Sequence, residues 1–104
     1  MSDSFVHLHL HTEYSLLDGA VKIADLMAKV NRCKMPAVAM TDHGNLYGAI
    51  DFYKQASKAG VKPIIGSEVY LSPGSMYEKK KIPGLPNAHH LTLLAKTAVG
   101  YENL

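Results

Sequence analysis

His9 and His11 stand two residues apart in a segment that alternates, with Val6, Leu8 and Leu10 on one side and His7, His9 and His11 on the other. On a strand, residues i and i+2 share a face with side chains roughly 7 Å apart, so both imidazoles can reach one metal ion or two neighbouring ones. His43 follows Thr41-Asp42 at the end of a short apolar run, and Glu68 sits among apolar neighbours. Neutral imidazole suits Zn, Mn or Fe, and a carboxylate such as Glu68 can bridge two such ions. Burying three histidines without ligands would strand several polar nitrogens, which argues for ligation by His9 and His11. Asp18, in Leu17-Asp18-Gly19, is a candidate carboxylate ligand and equally a turn former. Of His89 and His90 one is expected to face inward, and alternation with Leu91, Leu93 and Leu94 does not choose between them. His7 reads as a supporting partner, not a ligand.

These side chains need a scaffold, and the apolar periodicity supplies one. Alternation over Phe5 to His11 predicts a strand. Ile23, Leu26, Met27, Val30 and Cys33 follow helical spacing, with Cys33 expected in the core and Pro36 ending the helix. Ala37 to Met40 suits a strand buried on both faces. Leu46, Ile50, Tyr53 and Ser57, with Ala49 and Ala56 alongside, predict a second helix that Gly60 terminates. Pro63 to Leu71 predicts a third strand and His90 to Ala95 a fourth, with a new helix from Thr97. Between them, residues 72–88 carry Lys79-Lys80-Lys81, Pro83 and Pro86 and read as a solvated excursion. Helix-length crossovers between strands imply a parallel sheet. Four strands cannot close an eight-stranded barrel of roughly 250 residues, so the front part of a larger βα barrel is expected, with a small open three-layer sheet as the alternative. The rim would then gather His9 and His11 from strand one, His43 from strand two and Glu68 from strand three.

Composition excludes several other classes. In 104 residues, 47% are hydrophobic and 19% charged, which excludes disorder and coiled coil. A net charge of +2 does not announce a nucleic-acid surface. No apolar run is long enough to span a bilayer, and no basic region precedes an apolar core at the N-terminus, so neither membrane insertion nor a signal peptide is expected. One cysteine, Cys33, makes no internal disulfide and fits a reducing compartment. There is no phosphate-binding glycine loop and no zinc-finger cysteine pairing.

HLHLHTEYSLLDG, AMTDHGNLYGAIDFYKQA, KPIIGSEVYL and HHLTLLAKTAVGYENL together resemble the polymerase and histidinol phosphatase (PHP) family, and within it the branch carried by bacterial replicative DNA polymerases. The likeness runs from Phe5 to Leu104 and is least informative over 72–88. It implies a distorted seven-stranded βα barrel, of which residues 1–104 would be the N-terminal part, with up to three divalent metal ions at its rim. By family motif, His9 and His11 correspond to the first ligand pair, Asp18 to a carboxylate ligand, His43 to the second motif, Glu68 to the bridging acid and His90 to the histidine ahead of the LTLL run. His43 and Glu68 carry the catalytic assignment. The resemblance further implies a cytoplasmic parent that is a DNA-directed DNA polymerase, working on primer-template DNA and deoxynucleotides with other replicase subunits. Its PHP site would be a metal-dependent 3′–5′ exonuclease. A stand-alone phosphatase of the histidinol-phosphatase type and a non-catalytic metal-binding scaffold are the alternatives. His90 precedes its strand, which in a parallel barrel is the wrong rim.

Overall fold

The computed structural model describes residues 5–15, 19–75 and 89–104. Its elements run α1 (Ile23–Arg32), β1 (Ala37–His43), α2 (Ala49–Ala59), β2 (Lys62–Leu71), β3 (His89–Leu94) and α3 (Ala98–Asn103). Among the described residues the sheet has the order β1-β2-β3, a mixed α/β arrangement in which β1 pairs β2 in parallel and β2 pairs β3 antiparallel.

The antiparallel third strand corrects the expected all-parallel sheet. Parallel neighbours need a crossover, usually a helix, whereas antiparallel neighbours do not. Helix α2 makes that crossover between β1 and β2, but the proline-punctuated stretch after Leu71 has no helical periodicity to make another.

Alternation over Phe5 to His11 does not produce a regular strand. The segment lies beside β1, with the Ala39 N–H donating to the His7 carbonyl at 2.9 Å and the Thr41 N–H to the Leu10 carbonyl at 2.8 Å. Between those anchors β1 advances by two residues and the segment by three. The extra residue is a bulge, which puts His7 out of phase with His9 and His11. Thr41 Oγ1 takes the Leu10 N–H at 2.8 Å, where a strand would have offered a carbonyl. Leu8 is consequently 49% exposed while Leu10 packs on the core. An isolated parallel bridge pairs Thr12 with Val21 and leads the chain into α1.

α1 buries Ile23, Leu26, Met27 and Val30, a single stripe at helical spacing. Asp25 in its first turn and Lys29 and Arg32 in its last match the helix dipole. Cys33, expected in the core, is the exposed C-terminal cap, because the helix stops before its stripe reaches that position. α2 buries the expected Ala49 and Ala56 together with Phe52, but not Ile50 and Tyr53, which are 61% and 57% exposed. Both stripes have helical spacing. The fully buried Phe52 ring decides which one packs on Val38, Met40 and α1, a burial worth on the order of 1.5–3 kcal/mol. Gly60 ends α2 in the left-handed region at φ 77°. Ile50, Tyr53, Pro63, Ile65 and Tyr101 line an open groove of about 490 Å³ that contains none of the histidines. No helix of the described residues is long and apolar enough to cross a membrane.

Candidate metal centre

Four pieces of chain deliver the polar cluster. β1 and β2 are each buried along their middle, and parallel pairing sets His43 directly against Glu68, so both side chains rise from one face at the C-terminal end of the sheet. The N-terminal segment brings His9 and His11 over that end. β3 runs the other way, so its first residues lie where β2 finishes: Tyr70 pairs with His90 and Glu68 with Thr92. His90 therefore reaches the same rim as His43, and its place at the start of the strand is what an antiparallel strand requires.

Glu68 is the hub. His9 Nε2 lies 2.9 Å and His11 Nε2 3.0 Å from its Oε2, His43 Nδ1 lies 3.5 Å from Oε2, and His90 Nδ1 lies 2.9 Å from Oε1. The glutamate itself is only 6% exposed. Burial by itself would raise its carboxyl, but hydrogen bonding to His9, the charge of His43, hydrogen bonding to His90 and the charge of His9 outweigh it and hold the group below its ordinary range. The His11 and His43 rings stack 4.0 Å apart at 17°, forming the inner wall. His9 and His90 stand outside them and are open to solvent.

Among the described residues, two sets of donors have the right chemistry and spacing for divalent ions. His9, His11 and Glu68 form one, and His43, Glu68 and His90 the other, with the ligand atoms of each within 4.8 Å of one another. Imidazole nitrogens backed by a carboxylate suit zinc and the neighbouring transition metals. Glu68 belongs to both sets, so the donors fit a cluster as well as a single ion.

A buried polar frame holds these ligands. Asp42 is fully buried and accepts from the Thr12 N–H at 2.5 Å and the Thr12 hydroxyl at 2.6 Å, pinning the segment after His11 to the end of β1. Ser15 Oγ accepts from the His43 N–H at 3.0 Å and lies 3.2 Å from His11 Nδ1. Asn45 donates to the carbonyls of Tyr14 and His43. The Tyr14 ring covers Gly48, where a β-carbon would meet its Cδ2 at 2.5 Å. Asp42, Ser15 and Asn45 are partners that the sequence pattern does not name. Asp42 offers a signal, a charge two residues beyond the apolar run Ala37–Met40, and Ser15 offers none.

Of the six expected ligands, His9, His11, His43, Glu68 and His90 come together, and Asp18 lies outside the described residues. His7 points away from supporting duty: its side chain is exposed against the Phe5 ring, centroids 4.7 Å apart, and only its carbonyl anchors the sheet. His89 is exposed beside Leu71 in the register. Tyr47, Tyr53 and Tyr70, whose places in or beside predicted elements suggest packing, are all exposed, Tyr70 standing edge-on to His90 at 5.1 Å. Lys79-Lys80-Lys81 lies outside the described residues.

The family model described as the PHP domain matches residues 7–104. Curated relatives named DNA polymerase III subunit alpha include one from Borreliella burgdorferi, 55% identical over 100 residues, covering 96% of this chain and 9% of the relative. Another, from Thermus aquaticus, is 54% identical over 103 residues, covering 96% of this chain and 8% of the relative. A third, from Mycobacterium tuberculosis, is 51% identical over 113 residues, covering 97% and 10%. The chain thus spans about a tenth of the length of these relatives. Among solved structures, a candidate metal-dependent phosphoesterase from Bifidobacterium adolescentis superposes with a TM-score of 0.57 at 22% identity, covering 64% of this chain and 23% of that one. That likeness is one of fold.

Proposed function

Since the chain belongs to the PHP domain family, we propose that residues 1–104 are the N-terminal part of the PHP barrel of a bacterial DNA polymerase III alpha subunit, and that their rim carries a metal-dependent 3′–5′ exonuclease. The observation that carries this reading is Glu68, shared between two three-donor groups. High identity to the named relatives over nearly the whole chain supports the parentage. A seven-stranded barrel, completed by later segments of the parent, is the architecture this implies.

His9, His11 and Glu68 would hold one divalent ion and His43, Glu68 and His90 a second, with Asp18 contributing by family motif. Bound there, divalent ions supply Lewis acidity and an activated water for attack on a phosphodiester. The residues do the positioning. Glu68 stays ionised because the imidazoles around it hold its carboxyl down, so it contributes negative charge at the point the two groups share. The imidazoles contribute none, so a centre holding divalent ions would keep a net positive charge toward a phosphodiester. The His11–His43 stack fixes the inner wall, and the exposed His9 and His90 leave the outer side open to a strand end. Nucleotidyl transfer belongs to other parts of the parent, which would work in the cytoplasm on primer-template DNA and deoxynucleotides beside other replicase subunits.

The test uses the full-length chain and Glu68→Gln, which removes a charge while nearly keeping volume. Metal-dependent removal of a mismatched 3′ nucleotide should fall at least about a hundredfold, the scale for losing a catalytic electrostatic group, while extension of a matched primer survives in large part. Absence of excision in the wild type would favour a metal-binding scaffold. Excision that persists in Glu68→Gln and still needs metal would remove Glu68 from the site.

A further inference from the structure

We infer that Ser15 is a positioning residue that sets which nitrogen of His11 is presented to the metal donors, and so couples the two donor groups; this rests on the metal-site reading given above. Ser15 is fully buried. The His43 backbone N–H can only donate, so at 3.0 Å it occupies one lone pair of Ser15 Oγ. One lone pair and the O–H remain to face His11 Nδ1 at 3.2 Å. The other face of the same ring, Nε2, points at Glu68 Oε2 at 3.0 Å and at His9 Nε2 at 3.3 Å.

A hydroxyl at this point suits both states of the ring. When Nε2 carries the proton, it donates to the Glu68 carboxylate, and the Ser15 O–H donates to Nδ1. For Nε2 to offer its lone pair as a ligand, the neutral ring must carry its proton on Nδ1. That Nδ1–H then donates to Ser15 Oγ, the O–H having turned aside. The two arrangements are the two neutral tautomers of the same ring, each with one N–H, and the serine keeps its own proton in both. A backbone carbonyl could serve only the second state, and an apolar residue neither. Because the same oxygen also holds the His43 N–H, and the His11 and His43 rings stack 4.0 Å apart, the orientation of a ligand in each group depends on one buried hydroxyl. Outer partners of this kind orient ligands to metals generally, and their loss lowers metal affinity by about 10–100-fold.

The experiment measures Zn²⁺ and Co²⁺ affinity of the full-length chain, by chelator competition and by the visible Co²⁺ spectrum, for wild type, Ser15→Ala and His90→Ala. Urea unfolding of each metal-free protein records the structural cost separately. Ser15→Ala should weaken both classes of site, the one containing His11 by about 10–100-fold, and alter the Co²⁺ spectrum, whereas His90→Ala should strike only the class containing His43. Ser15→Ala that is merely less stable, with affinity within twofold of wild type and an unchanged spectrum, overturns the inference and leaves the metal-site reading standing. A wild-type chain that takes up no metal overturns both.

Discussion

His90 meets Glu68 across strands that run in opposite directions: its Nδ1 lies 2.9 Å from Oε1, two residues along the ladder from the Glu68–Thr92 pair. Had β3 been parallel, the start of that strand would sit at the far end of the sheet from the C-terminus of β1. Strand direction, more than the spacing of the histidines in sequence, builds the second donor group.

Replacing His90 by Ala should therefore remove one class of metal site from the full-length chain while the His9–His11 class persists. Thr92, the true register partner of Glu68, offers no imidazole or carboxylate, and Thr92→Ala should leave metal content unchanged. Elemental analysis after gel filtration at limiting metal reads both. Equal losses in the two variants would contradict the assignment.

Metal content should also fall in His9→Ala/His11→Ala, through loss of the first class of site. The bulge turns both rings onto Glu68, so neither has a substitute in its group. Elemental analysis that finds the double variant as metal-rich as wild type would exclude the N-terminal segment from the centre.

Gly66 lets β3 approach. A β-carbon there would run into the Leu93 carbonyl and lie 2.8 Å from Leu94 Cδ2. Gly66→Val should cost about 1–3 kcal/mol, the range for overpacking, and should loosen His90 from Glu68. The paired readout is the urea midpoint and metal affinity; a stable variant with native affinity would show that the strand contact is not needed.

Asp42→Ala leaves both the Thr12 N–H and its hydroxyl without their acceptor inside the fold. Stranding a buried donor costs about 1–3 kcal/mol, so this variant should be among the least stable of the rim. Asp42→Asn keeps an acceptor oxygen and should lose less. Denaturant unfolding of the metal-free chains ranks the two, and the reverse order would refute the bonding pattern.

The low-lying Glu68 carboxyl makes a prediction about acid. A carboxyl held below its ordinary value of 4.5 when folded stabilises the fold above that value, and its contribution disappears as pH falls through the folded value. Metal-free wild type should accordingly lose more stability than Glu68→Gln as pH is lowered from neutrality into the acid range. Thermal melts across that window measure it, and parallel curves would show that Glu68 gains nothing from its histidines.

Local patterns along the chain suffice for most of the elements and for the choice of candidate donors. Period-two and period-3.6 patterns are local, and α1, the buried β1 and β2 each follow from them, as do His9, His11, His43 and Glu68 as the residues equipped for metal chemistry. Helical spacing alone could not say whether α2 would bury Phe52 or Ile50, because both lie on legitimate stripes and only the sheet beneath chooses. Nor could alternation reveal the bulge at the first segment, since that depends on how three residues there are matched to two in β1. The centre was settled at long range: Glu68 lies 59 positions from His9 in sequence and 22 from His90. Such pairs, and the Ser15 and Asp42 contacts that aim them, are fixed by strand direction and register, which no local periodicity encodes.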